Sequence, residues 1–92
     1  MKKLLPLGSV VLLEGVKKRV MIYGRLQKKI GETEEIFDYI GCPYPEGNIS
    51  PSESILFNEN QIKMVFFLGF QDLEELMFKE KLQKLHEESK TE

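Results

Sequence analysis

All seven glycines and all four prolines of this 92-residue chain lie between Pro6 and Gly69, and the last 23 residues contain neither. Residues that break regular structure are thus concentrated in the first three quarters of the chain. Short extended segments divided by turns, followed by one long helix, are what that distribution permits.

The apolar runs between the breakers have the length and composition of strands. "VVLL" is a β-branched and leucine run bounded by Leu7-Gly8-Ser9 and by Glu14-Gly15, which predicts a short strand. "KKRVMIYGRLQ" alternates: Val20, Ile22 and Leu26 share one face with Gly24 in register, and Arg19, Met21, Tyr23 and Arg25 share the other. Gly24 inside such a run marks a bulge or bend, the device that curls a sheet. "EIFDYIG" is a third strand with two available core faces, Ile36 with Ile40 or Phe37 with Tyr39. With the second choice, Asp38 faces outward and pairs across the ladder with Arg25.

"CPYPEGN" reads as a loop, because Pro43 and Pro45 cannot donate to a ladder. Tyr44-Pro45-Glu46-Gly47 fits a type I turn, and Asn48 is a further turn former. "ISPSES" continues the loop to "ILFNENQI", where Asn58 caps a single helical turn and Gln61 reaches back to it. "IKMVFFLGF" is almost wholly apolar, as in a strand covered on both faces.

The helix is expected over about residues 71–88, starting with the Asp72-x-x-Glu75 signature. At ~100° per residue, Leu73, Leu76 and Met77 form one apolar group that can dock on a sheet. Phe78, Leu82 and Leu85 form a second group almost opposite, which needs a cover of its own and is the candidate partner-binding face. The chain is thus expected to be one α+β, mainly β, domain over residues 1–92. Its β-rich part, about 7–70, is a strongly bent antiparallel sheet or small SH3-like barrel, and residues 89–92 form a frayed tail.

Charge is unevenly placed. Residues through Ile30 carry a net +7, residues 31–70 a net −6, and the tail from Gln71 a net −3. A basic strand beside an acidic one neutralises this within the fold. The N-terminal "MKKLLPLGSVVLLEG" makes a poor secretory leader, since Pro6, Gly8 and Ser9 interrupt its apolar run and no cleavage signal follows. No stretch has the ~18 apolar residues of a membrane span, so a cytoplasmic protein without membrane insertion is expected.

Cys42 and His86 are the chain's only cysteine and histidine, which excludes an intramolecular disulfide and a four-ligand zinc site of the usual kind. They also make a poor nucleophile–base pair without a third group to orient them. Glu34-Glu35 and Glu74-Glu75 read as solvated charge, and the glycines form no phosphate-binding pattern. No catalytic residue, metal or cofactor is expected. A single-stranded nucleic-acid surface built on Arg19, Tyr23 and Arg25 ranks lower, because a pI near 5.5 is far from the basic domains that bind such strands.

The words "LPLGSVVLL", "RVMIYGRLQ", "FDYIGCPYPEGN" and "FNENQIKMVFFLGF", met in this order before a charged helix, resemble a family of small bacterial proteins known as a domain of unknown function. Its genes are typical of type VII secretion clusters in Gram-positive bacteria. The similarity runs from about Leu5 to Phe78. It implies a cytosolic adaptor or chaperone that binds a secreted LXG-type toxin, near its helical targeting region, before export. An immunity protein that neutralises a toxin is the alternative, and a homodimer mate is another candidate cover for the helix. Pro6, Gly8, Pro45, Gly47 and Asn48 match the family's words and read as turn determinants.

Overall fold

The strand and helix segments assemble as an open antiparallel sheet with one helix against it. The computed structural model describes residues 4–28 and 35–90. Residues 29–34 of the expected polar turn, Lys2, Lys3 and tail residues 91–92 lie outside the described residues.

The elements are β1 (Val10–Leu13), β2 (Val20–Lys28), β3 (Ile36–Pro43), β4 (Ile55–Phe57), β5 (Ile62–Phe67) and α1 (Leu73–Lys90). Single 3₁₀ turns occupy Pro51–Glu53 and Glu59–Gln61. The sheet order is β4-β3-β2-β1-β5, and β4 and β5 are its two edges. The bent-sheet expectation therefore holds, and the sheet stays open instead of closing as a barrel. The expected long loop contains the short strand β4, while α1 starts slightly later than expected and runs on to Lys90.

Three differences from the strand-by-strand reading have physical causes. A register shift between Ile22 and Gly24 confirms the bulge and reverses the alternation after it. Val20 and Ile22 stay in the core and Leu26 packs against it, partly buried, but Arg25 also turns inward, only 8% exposed. Leu26 takes a φ of +52°, in the left-handed region that disfavours side chains.

Strand β3 also runs further than expected, through Cys42 and Pro43. Pro43 is tolerated because the β3–β4 pairing ends at Gly41↔Ile55, so no partner on that side needs its missing N–H. Its other side still pairs with Val20. Beyond it the Tyr44–Pro45 peptide is cis. The turn closes from Gly47 N–H to the Pro43 carbonyl at 2.7 Å, one residue before the Tyr44 carbonyl that the expected type I turn would use.

The core gathers Leu4, Val11, Leu13, Val20, Ile22, Tyr39 and Phe57. Tyr39 is the inward residue of β3, with its ring 5.4 Å from that of Phe57, a pairing worth about 0.5–1.5 kcal/mol beyond area burial. Asp38, expected outside beside Arg25, is buried as well. The Glu59–Gln61 turn covers it: Asp38 Oδ2 accepts Glu59 N–H at 2.8 Å, and Asp38 N–H donates to Asn58 Oδ1 at 2.9 Å. The expected return bond of the turn, Asn58 N–H to Gln61 Oε1, is present at 2.8 Å.

Candidate partner-binding surface

Helix α1 docks through a stripe that its apolar pattern does not reveal. Leu82 packs against the core, and Glu75, Lys79, Gln83 and His86 are half-buried beside it. At ~100° per residue these positions fall within one arc of about 100°. Leu73, Leu76 and Met77, the group expected to dock, are instead 72%, 48% and 58% exposed. Charge decides the rotation. Glu75 receives both arms of the buried Arg25 guanidinium, Nη1 at 2.6 Å and Nη2 at 2.8 Å. Glu75 had been read as solvated, but an inward arginine requires a carboxylate, and α1 supplies it.

The three residues expected to form one partner face are consequently divided. Leu82 belongs to the core, whereas Phe78 and Leu85 remain exposed on one flank of the docked stripe. The Phe78 ring sits 5.8 Å from the Arg25 guanidinium carbon.

A larger apolar surface lies where the sequence predicted cover. Strand β5 is an edge, and every large apolar side chain from Met64 to Phe78 is exposed, from 45% at Val65 to 78% at Phe70. An apolar run reads the same whether its own chain or a partner covers it, so sequence reasoning could not detect this. The chain passes from β5 through Phe70 directly into α1.

On this side a groove of about 540 Å³ is lined by Gly8, Val10, Arg19, Met21, Tyr44, Phe66 and Phe67. The Arg19 guanidinium carbon lies 5.1 Å from the centre of the Tyr44 ring and 5.6 Å from that of Phe66. Two aromatic faces thus hold one exposed cation. Of the lower-ranked nucleic-acid cluster, Arg25 is buried against Glu75, and Tyr23 Oη and Ser54 Oγ share a hydrogen bond of 2.7 Å. On the surface Lys18 pairs with Glu46 at 2.8 Å. Arg25 is thus neutralised by the helix and Lys18 by the loop after β3.

The turn residues have structural roles. Gly8, at φ +90°, donates its N–H to the Ile22 carbonyl at 2.8 Å. Pro6 is buried, and its carbonyl accepts the Ser9 hydroxyl at 2.8 Å. The same Ser9 oxygen accepts Gly69 N–H at 3.0 Å, so the "LPLGS" word is bonded to the "FLGF" word. Pro45 and Gly47 shape the loop after β3, and Asn48 Oδ1 accepts from Ser54 Oγ at 3.4 Å.

The potentially reactive groups are enclosed. Cys42 is 1% exposed, and burial pushes its thiol pKa up. Burial, reinforced by a hydrogen bond to Glu59, raises the Tyr39 phenol well above its ordinary range. His86 Nε2 stands 3.8 Å from Asp38 Oδ1, and neither buried ring nitrogen has a hydrogen-bond partner among the described residues. Among the described residues no cluster of three or more His, Cys, Asp or Glu side chains has a metal-binding arrangement. No described helix is long and apolar enough to cross a membrane.

No curated protein and no solved structure matches the chain. A family model does match, over residues 4–78, from the core residue Leu4 to Phe78 on the first half of α1. That span includes the whole sheet, the bonded "LPLGS" and "FLGF" words and the Arg25–Glu75 anchor. The chain belongs to the family described as the domain of unknown function DUF4176.

Proposed function

We propose that this protein is a non-enzymatic adaptor or chaperone of a type VII secretion system in a Gram-positive bacterium. In this reading it acts in the cytoplasm and holds a secreted LXG-type toxin through an α-helical segment before export. The observation that carries the reading is the exposed apolar surface of β5 and α1. Its ten large side chains expose on the order of 1,000 Å², more than the ~800 Å² each partner contributes to a standard interface. Monomeric proteins rarely leave that much uncovered. The enclosed positions of Cys42 and Tyr39 also favour binding over catalysis. The secretion setting rests on the resemblance of the sequence words.

The test is capture of the toxin encoded beside this gene. Phe78→Glu combined with Leu85→Glu alters two exposed positions and leaves Leu82 in the core. Toxin co-purification and export should both fall sharply while the thermal transition is retained. Unchanged capture by the double variant would overturn the reading. Rescue of cells from the toxin without any effect on export would replace it with an immunity function.

A further inference from the structure

We propose that the free edge of β5, together with the Arg19 groove, takes an extended peptide segment of a partner protein as a sixth strand. The segment places an acidic side chain on Arg19 and an apolar side chain in the groove. This site is separate from the α1 flank tested above and does not depend on the secretion reading.

Three observations lead to this occupant. The first is the backbone: β5 pairs with β1 on one side only, so its outer edge offers the peptide groups that an added strand uses. The second is side-chain register. Met21, Val10 and Phe67 are paired across β2, β1 and β5, and all three line the groove. A residue opposite Phe67 on a sixth strand continues that row and brings its side chain to the groove mouth. The third is charge. Arg19 is stacked between Tyr44 and Phe66, yet its guanidinium has no hydrogen-bond or ion-pair partner among the described residues. Stacking occupies the faces of the guanidinium and leaves its N–H edge for a carboxylate.

Charge also selects against other occupants. Residues 62–70 contain one cation, Lys63, and no carboxylate. A second copy paired through β5 would supply no carboxylate for Arg19. An oligonucleotide would satisfy Arg19, but it has no means of pairing with a β edge. An alternating peptide does both, with its acidic and apolar residues two apart so that they share one face.

The test selects displayed random peptides, about ten residues long, on the immobilised whole protein and in parallel on Arg19→Gln. Arg19 is exposed, and an unchanged circular dichroism spectrum verifies the variant's fold. The expected consensus pairs Asp or Glu with an apolar residue two positions away, and it is lost on the variant. A synthetic consensus peptide should bind Arg19→Gln about tenfold more weakly and should slow amide exchange within β5. The proposal is overturned if no consensus emerges, if the consensus lacks an acid, or if the variant selects the same one. It is equally overturned if protection is confined to α1, if oligo-dT binds through Arg19 in place of peptide, or if sedimentation shows a dimer whose β5 amides are already protected.

Discussion

Replacing Glu75 with Gln tests the account of how the helix is held. Arg25 is 3% exposed at its side chain and Glu75 13%, joined by two bonds of 2.6 and 2.8 Å. Their attraction offsets the desolvation of both, so the pair itself contributes little net stability. Removing one charge has a different effect, because Arg25 is then left buried without a counter-charge, with only a neutral amide oxygen, the Leu5 carbonyl at 3.4 Å and the Phe78 ring nearby. Breaking such a pair costs about 3–5 kcal/mol, and the partial exposure of Glu75 places this one near about 3. A domain of this size has roughly 5–14 kcal/mol in total. The melting temperature should therefore fall by about 12–24 °C, and the urea midpoint by about 1.5–3 M. Arg25→Met with Glu75→Leu removes both charges and should return to within about 1 kcal/mol of the parent. A loss below about 1 kcal/mol for Glu75→Gln, or a double variant as unstable as the single one, would refute the reasoning.

Ser9→Ala removes the oxygen that joins Pro6 to Gly69 and leaves a buried N–H without its acceptor. Urea denaturation should show a loss of about 1–3 kcal/mol, against almost none for Ser52→Ala on the exposed 3₁₀ turn. The Tyr39 phenol is raised in the folded state, so folding retains its proton and stability is complete below the ordinary phenol value. Above about pH 10, stability should decline by up to about 1.4 kcal/mol per pH unit from this group, a slope that Tyr39→Phe should lack. Cys42, buried with its thiol pKa raised, should react with a disulfide reagent at pH 8 at least about 100-fold more slowly in the native protein than in urea. Rapid native labelling would contradict the burial.

Much of the architecture was legible because it depends on local chemistry. Glycine and proline positions separated strands from helix, Gly24 marked the bulge, and Asn58 with Gln61 marked the short turn. The direction of each face after an irregularity was less legible. One extra residue at the bulge reverses the facing that follows it in β2, which turns Arg25 from an expected surface cation into a buried one, while Leu26 still reaches the core. The candidate surface was only partly visible for a related reason. Phe78, Leu82 and Leu85 were identified by helical period, but that period does not state which stripe meets the sheet.

By itself, then, the sequence determined every strand but the short β4, the terminal helix, the antiparallel mainly-β class and the presence of excess apolar surface. Periodicity, turn chemistry and composition act over a few residues, and they are complete in the chain as written. Only the tertiary structure decided that β5 is an edge, that α1 rests on Glu75, Leu82 and His86, and that Arg19 stands between two rings. Those outcomes depend on pairing residues far apart in the chain, 50 positions in the case of Arg25 and Glu75. Burial of one charge forced the choice of its partner, and that choice set which apolar side chains were left facing water.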